Sequence, residues 1–198
     1  MLSIILPNHR EPNIFKFMQE IENTIPDCEI IVSCDSQGKG KGWAIRQALN
    51  QAKGDKIAFL DGDGEIPARM LLRLIPFLDD FDAVVGSKRI TNAPMRRKIM
   101  TRVTRIWFKF LFHVKVDTQT GIKLFRRKAL ESLPKYFWKS DGFMFDVEIL
   151  TIFEDKGFRM VEVPIECEIR RQLAFKTIFK ITGESISLWF RLLFPVKK

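Results

Sequence analysis

Along the first sixty residues, apolar and polar positions change period from two to about 3.6 and back, which predicts strand, helix, strand, helix, strand. Residues 2–6 form an apolar run stopped by Pro7, as expected of a buried strand. Ile14, Phe17, Met18, Ile21 and Ile25 recur at helical spacing, so a helix is predicted over 14–25. A second strand follows at 29–33. The glycines from Gly38 to Gly42 open a helix running to Ala52, and Gly54-Asp55 turns the chain into a strand at 56–60. Beyond these come a helix at about 67–78, a strand at 83–86, an extended piece around 121–125, a helix near 146–156 and a strand at 159–164. The alternation predicts an α/β domain built on a parallel sheet.

The third strand ends in Asp61-Gly62-Asp63-Gly64-Glu65, three carboxylates at alternate positions. Such residues are ordinary turn formers. They are also the hard oxygen donors that Mg²⁺ or Mn²⁺ prefers, often with phosphate completing the shell. An EF-hand is excluded, because counting from Asp61 its required glycine falls on Ile66 and its required glutamate on Leu72. Ligands of parallel sheets gather beyond the carboxyl ends of the strands. The loops at 7–11, at Asp35 and at 61–65 all lie there, and that convergence favours a metal-bound diphosphate over chance turns.

Two later segments pair apolar with basic residues. At 95–112, Arg102, Arg105 and Lys109 share one helical face while Ile99, Val103, Ile106 and Phe110 share another. At 173–198, Phe175, Ile178, Phe179, Trp189, Phe190 and Leu193 stand among Lys176, Lys180 and Arg191. Both patterns suit amphipathic helices resting on anionic headgroups, or ordinary domain helices with a solvated basic face.

Composition narrows the partners. A net charge of +9 points to anionic ones, and 18 Phe against one Tyr hints at apolar surfaces. Three cysteines without paired spacing suit reduced thiols in the cytosol, and two histidines argue against zinc. Neither a signal peptide at the start nor an apolar run of about 18 residues is evident, so any membrane association is expected to be peripheral or supplied by an anchoring partner. The run from Gly38 to Gly42 lacks the Ser or Thr of a phosphate-binding P-loop and is read as a structural turn with solvated lysines. A nucleic-acid module using residues 96–109 leaves the three carboxylates unexplained and repulsive, so nucleic acid is not expected as a partner.

The segments Pro7-Asn8-His9-Arg10-Glu11, Gly40-Lys41-Gly42-Trp43-Ala44, Asp61-Gly62-Asp63, Gly86-Ser87-Lys88, Asp117-Thr118-Gln119-Thr120-Gly121 and Val163-Pro164-Ile165 occur in an order that resembles the family 2 glycosyltransferases. The likeness is strongest to the polyprenyl- or dolichyl-phosphate mannose and glucose synthases. It implies a GT-A fold over 1–172, Rossmann-like with a mostly parallel central sheet, followed by an amphipathic helical tail at 173–198. It implies that Pro7, His9, Glu11 and Asp35 hold the nucleoside, and that Asp61, Gly62 and Asp63 bind the nucleotide sugar. Asp61, Asp63 and Glu65 would be metal ligands for Mg²⁺ or Mn²⁺. Lys88, or Arg89 if the loop shifts by one, would meet the donor, Arg170 and Lys176 the diphosphate, and Arg102 the lipid phosphate. The family usually inserts a further helix and strand between its Asp35 equivalent and the Gly-Lys-Gly segment, so this chain implies an abbreviated base pocket.

The expected chemistry is inverting, metal-dependent transfer of a sugar from a GDP-mannose or UDP-glucose type donor to polyprenyl or dolichyl phosphate, at the cytoplasmic face of a membrane. A lipid phosphate is already anionic and needs no base, whereas a sugar or protein hydroxyl would, with Glu148 or Asp146 as candidates. Both also suit the positive end of a helix dipole. A degenerate nucleotide-sugar-binding subunit is the remaining alternative.

Overall fold

The computed structural model describes residues 1–8, 11–35, 37–88, 95–133, 139–167 and 175–194. Six strands, β1 (Leu2–Asn8), β2 (Cys28–Cys34), β3 (Lys56–Leu60), β4 (Ala83–Lys88), β5 (Ile122–Arg126) and β6 (Met160–Ile165), form one sheet in the order β2-β1-β3-β5-β4-β6. The helices are α1 (Ile14–Thr24), α2 (Lys41–Leu49), α3 (Arg69–Leu74), α4 (Met95–Phe112), α5 (Arg127–Glu131), α6 (Met144–Asp155) and α7 (Phe175–Leu193). β1 runs parallel to β2 and β3, and β4 runs parallel to β6, while β5 is antiparallel to both β3 and β4. The sheet is mostly parallel, as the resemblance implied, and β5 is its one reversed strand.

Strand alternation sorts the core into two layers. Ile4, Leu6, Ala58, Leu60, Ile122 and Leu124 face α1 and α3, burying Ile14, Phe17, Ile21, Leu71 and Leu74. Ile5, Ile57, Phe59 and Phe125 face the opposite way, against Ile45 of α2, Phe145 and Phe153 of α6, and Phe108 and Phe112 of α4. In that second layer Phe59 stacks at 5.0 Å from Phe125, which lies 5.2 Å from Phe153. Truncating a ring packed in this way costs about 3–5 kcal/mol.

The prolines explain where elements stop or survive. The helix predicted over 67–78 gives way to a 3-10 turn at Ile75–Asp79, because Pro76 has no N–H to continue the ladder. Pro7, expected to end the first strand, instead lies within it. The β1–β3 pairing has already stopped at Ile5, so Pro7 withdraws no donor from that side. Pro164 is tolerated because β6 is an edge strand.

The C-terminal segment is a wall of this second layer. Leu188 of α7 is buried in it, with Ile181, Trp189 and Leu192 packed alongside. Trp107 Nε1 of α4 donates to Ser185 Oγ of α7 at 3.1 Å, joining the two amphipathic helices side by side. None of the helices among the described residues is long and apolar enough to cross a membrane.

Candidate active site at the carboxyl edge of the sheet

Because β2, β1 and β3 are parallel neighbours, the segments leaving them emerge along one edge, as anticipated. The reversed β5 begins where β3 ends, and Asp61 N–H donates to the Gly121 carbonyl at 2.9 Å. A Cβ on Gly121 would collide with the Asp61 carboxylate, so only glycine allows this approach.

Behind Asp61 lies a buried cluster of alternating charge. Lys41, in the first turn of α2, places Nζ 2.9 Å from Asp61 Oδ1 and 2.7 Å from Asp146 Oδ2 of α6. Lys123 Nζ of β5 stands 3.1 Å from Asp146 Oδ1 and donates to the Thr120 carbonyl at 2.5 Å. The Lys123 side chain is 1% exposed and that of Asp61 38%, so the cluster runs from the interior to the surface and ends on the Asp61 carboxylate.

The charges decide one another's protonation. Burial alone would raise the Asp146 carboxyl, but the ammonium groups of Lys123 and Lys41 outweigh it and hold the group below the usual carboxylate range. Burial would likewise lower Lys41, yet Asp146 and then Asp61 hold its ammonium above the ordinary value. Lys123 goes the other way: burial pushes it down, Asp146 resists, and nearby Lys41 adds to the fall.

This corrects the reading of the glycine-rich run as a turn with solvated lysines. Lys39 is exposed, 5.2 Å from the Trp43 ring centroid, but Lys41 is half-buried and doubly paired. Gly40 has φ +114, in the region that favours glycine, and a Cβ there or on Gly42 would strike the backbone of residues 140–141. The glycines thus make room for a protein loop. Lys41 and Lys123 were both missed as site residues. The available signal for Lys123 was a lone charge inside the otherwise apolar strand at 121–125.

The other residues expected to meet the nucleotide sugar come from β1, β4 and the loops that follow β1, β2 and β3. Pro7 is half-buried near the end of β1, and Glu11 follows it, its N–H donating to Asn8 Oδ1 at 2.9 Å. Asp35 accepts from the amides of Lys39 and Gly40 at 2.8 and 2.7 Å, so its carboxylate shapes the turn into α2. Gly62 is buried under Ile14. Asp63 is half-buried and its Oδ1 accepts from the Glu65 amide at 3.0 Å, with Gly64 at φ +66 closing the turn. Lys88 ends β4 on the same side of the sheet, paired in register with Ile165. His9, Arg89 and Arg170 lie outside the described residues, as does the side chain of Lys176.

Asp61 and Asp63 fit a hard divalent cation that takes one or two carboxylates and completes its shell with water and diphosphate oxygens. The expected trio is not assembled: Glu65 is buried, and among the described residues no three His, Cys, Asp or Glu side chains gather as a metal-binding group. Asp61 is drawn toward Lys41, and the Glu65 backbone folds back on Asp63.

Of the two base candidates, Asp146 belongs to the charge cluster and Glu148 is fully enclosed. Glu148 Oε2 accepts from Ser140 N–H at 2.8 Å and Oε1 from Arg191 Nη2 at 2.7 Å. Arg102 is exposed on α4, where Ile99, Val103, Ile106 and Phe110 are all more than half exposed. On α7, Phe190 and Leu193 are exposed to a similar degree.

Residues 14–134 match the family model for glycosyl transferase family 2. The dolichyl-phosphate beta-glucosyltransferase of Saccharomyces cerevisiae is 29% identical over 150 residues, covering 66% of this chain and 45% of that protein. The polyprenol monophosphomannose synthase of Mycolicibacterium smegmatis is 27% identical over 154 residues, covering 74% of this chain and 55% of that protein. The chain thus spans about half the length of these curated relatives. Among solved structures, glucosyl-3-phosphoglycerate synthase from Mycobacterium tuberculosis, in complex with Mn²⁺, UDP-glucose and glycerol 3-phosphate, superposes with a TM-score of 0.71 at 15% identity, covering 95% of this chain and 78% of that one. The six-stranded, mostly parallel sheet with its flanking helices is the GT-A-like α/β fold. With more than half of its length matched by the family model, the chain belongs to glycosyl transferase family 2.

Proposed function

We propose that this protein transfers a sugar from a nucleotide-diphosphate donor, of the GDP-mannose or UDP-glucose type, to a polyprenyl or dolichyl phosphate. The observation that carries this reading is the state of the two α6 carboxylates. A hydroxyl acceptor needs a base with a free lone pair within reach of its proton. Asp146 is instead clamped by Lys41 and Lys123, and Glu148 is enclosed by Arg191 and the Ser140 amide. An acceptor phosphate carries its own charge and needs neither.

In the reaction the phosphate oxygen attacks the anomeric carbon as the bond from that carbon to the diphosphate breaks, and the nucleoside diphosphate leaves with the electron pair. Asp61 and Asp63 would hold Mg²⁺ or Mn²⁺, which supplies charge neutralisation to the leaving diphosphate when bound. Arg170, Lys176 and Lys88 would add positive charge on the donor side, with Pro7, His9, Glu11 and Asp35 holding the nucleoside and Gly62 in the loop that meets the nucleotide sugar. Arg102 would orient the acceptor phosphate. The exposed apolar residues of α4 and α7 support work at a membrane surface, with the cytoplasmic face and an anchoring partner as further parts of the proposal.

The test is to incubate purified protein with Mn²⁺ or Mg²⁺, a polyprenyl phosphate and a panel of radiolabelled nucleotide sugars. A labelled product extracted with the lipid is expected from one donor. No lipid-linked product from any donor overturns the reading, and transfer to a saccharide instead would move it to a hydroxyl acceptor.

A further inference from the structure

Glu148 has no part in the proposed chemistry, yet it is completely enclosed. An ionised carboxylate is tolerated there only when its oxygens are matched by donors. One of those donors comes from the far end of the chain. Arg191 Nη2, on α7, lies 2.7 Å from Glu148 Oε1 and 2.7 Å from Ser140 Oγ. Glu148 Oε2 in turn accepts from the Ser140 amide at 2.8 Å, so one guanidinium and one carboxylate together fix the segment at 139–142.

That segment is the seat of α2. The Asp141 carbonyl accepts from Gly42 N–H at 2.7 Å and from Trp43 N–H at 3.4 Å, in the helix's first turn. Arg46 grips the same segment from the other side, donating to the Ser140 carbonyl at 2.7 Å and pairing with the Asp141 carboxylate. Lys41 sits between Gly40 and Gly42, the two positions where a Cβ would push this segment away. The position of its ammonium therefore follows from how this turn is docked.

We propose that Arg191 is a positioning residue for the carboxylate site: through Glu148 and the segment at 139–142 it seats the first turn of α2, and so holds the Lys41 ammonium between Asp61 and Asp146. A purely local role, pinning α7 to α6, would leave the first turn of α2 untouched when Arg191 is removed. The consequence for donor binding rests on the proposed function, whereas the consequence for α2 does not.

The experiment is hydrogen exchange read by mass spectrometry on the full chain. In Arg191→Ala, amides in 40–46 are expected to exchange about tenfold faster while β3 keeps its protection; Arg191→Lys, which returns a cation to Glu148, recovers most of it. Exchange that rises in α7 alone, with 40–46 unchanged, overturns the proposal. Should Arg191→Ala fail to fold, Arg191→Met keeps the side-chain stem and is read by the same criterion. A second arm measures binding of a nucleoside diphosphate with Mn²⁺, for which Arg191→Ala is expected to weaken affinity about fivefold and Arg191→Lys to restore it. Looser exchange at 40–46 with unchanged affinity overturns the link to the site. A wild-type protein that binds no nucleoside diphosphate overturns the functional reading, and the exchange arm alone then decides the positioning role.

Discussion

The carboxyl edge of the sheet and the outer face of α4 and α7 invert ordinary folding preference in opposite ways. At the edge, Lys123 and Asp146 are buried and Lys41 is half-buried, while on α4 and α7 the side chains of Ile106, Phe110 and Phe190 are out in solvent. Buried ions cost stability unless matched, and exposed apolar side chains bring none. Each region therefore gives up folding energy that conventional packing would have kept. The first uses its charges to fix the Asp61 carboxylate at the end of β3, and the second offers an apolar surface bordered by Arg102, Arg105 and Lys109. Substitutions in the first region should thus damage stability or chemistry, and those in the second should damage only attachment.

The sharpest division is expected from Asp63→Asn. Its amide oxygen can still accept from the Glu65 amide, so the turn is retained, while the charge offered to a metal is lost. Transfer should fall by about a thousandfold, roughly 4 kcal/mol in barrier, with an unchanged unfolding midpoint. Activity within a fewfold of wild type would remove Asp63 from the metal site.

Asp146→Asn should instead act on the fold, costing about 3 kcal/mol in denaturant titration, because Lys123 loses the carboxylate that balances it in the interior. Adding Lys123→Met should return part of that loss by removing the stranded charge. The pH dependence has a definite sign. The folded pKa of Asp146 lies below its unfolded value of about 3.9, so its contribution is complete above that value and disappears as pH falls through the folded one. Asp146→Asn should therefore flatten the acid limb of the stability profile, and an unaltered limb would contradict the pairing.

The two regions were also unequally legible in the sequence. The third strand was predicted at 56–60 and found there, because Gly54-Asp55 and Asp61-Gly62 bound a short apolar run. The reversal of β5 could not be read, since an apolar run carries no direction. The five-residue α5 is too short to show a period. At the site, the Asp61–Asp63 loop was visible because turn residues followed a buried strand. Its lysine partners were not: a lysine flanked by glycines reads as solvated, and only the folded chain brings Asp61 and Asp146 together on its ammonium. The apolar stripe of α4 was legible outright, because helical periodicity alone lines up Ile99, Val103, Ile106 and Phe110, and all four are exposed.

On that stripe, Ile106→Ser with Phe110→Ser should leave stability within about 0.5 kcal/mol, since both side chains are already exposed. Sedimentation with vesicles containing anionic lipid should show affinity reduced by about thirtyfold, near 2 kcal/mol, if these residues enter the headgroup boundary. A stability loss as large as that of Asp146→Asn would mean that the stripe packs against the protein and would erase the contrast between the regions.

Arg102→Ala tests the border where the two regions would meet, and its expected effect is the smallest. Arg102 is exposed, so its loss should not disturb the fold. If it only contributes charge toward an anionic surface, vesicle affinity should weaken by about 1 kcal/mol, and a short, water-soluble acceptor phosphate should be used as well as before. If it orients the acceptor phosphate, the KM for that short acceptor should rise about fivefold while the KM for the nucleotide sugar stays unchanged. Equal changes for donor and acceptor would fit neither role and would separate the apolar face from the chemistry at the sheet edge.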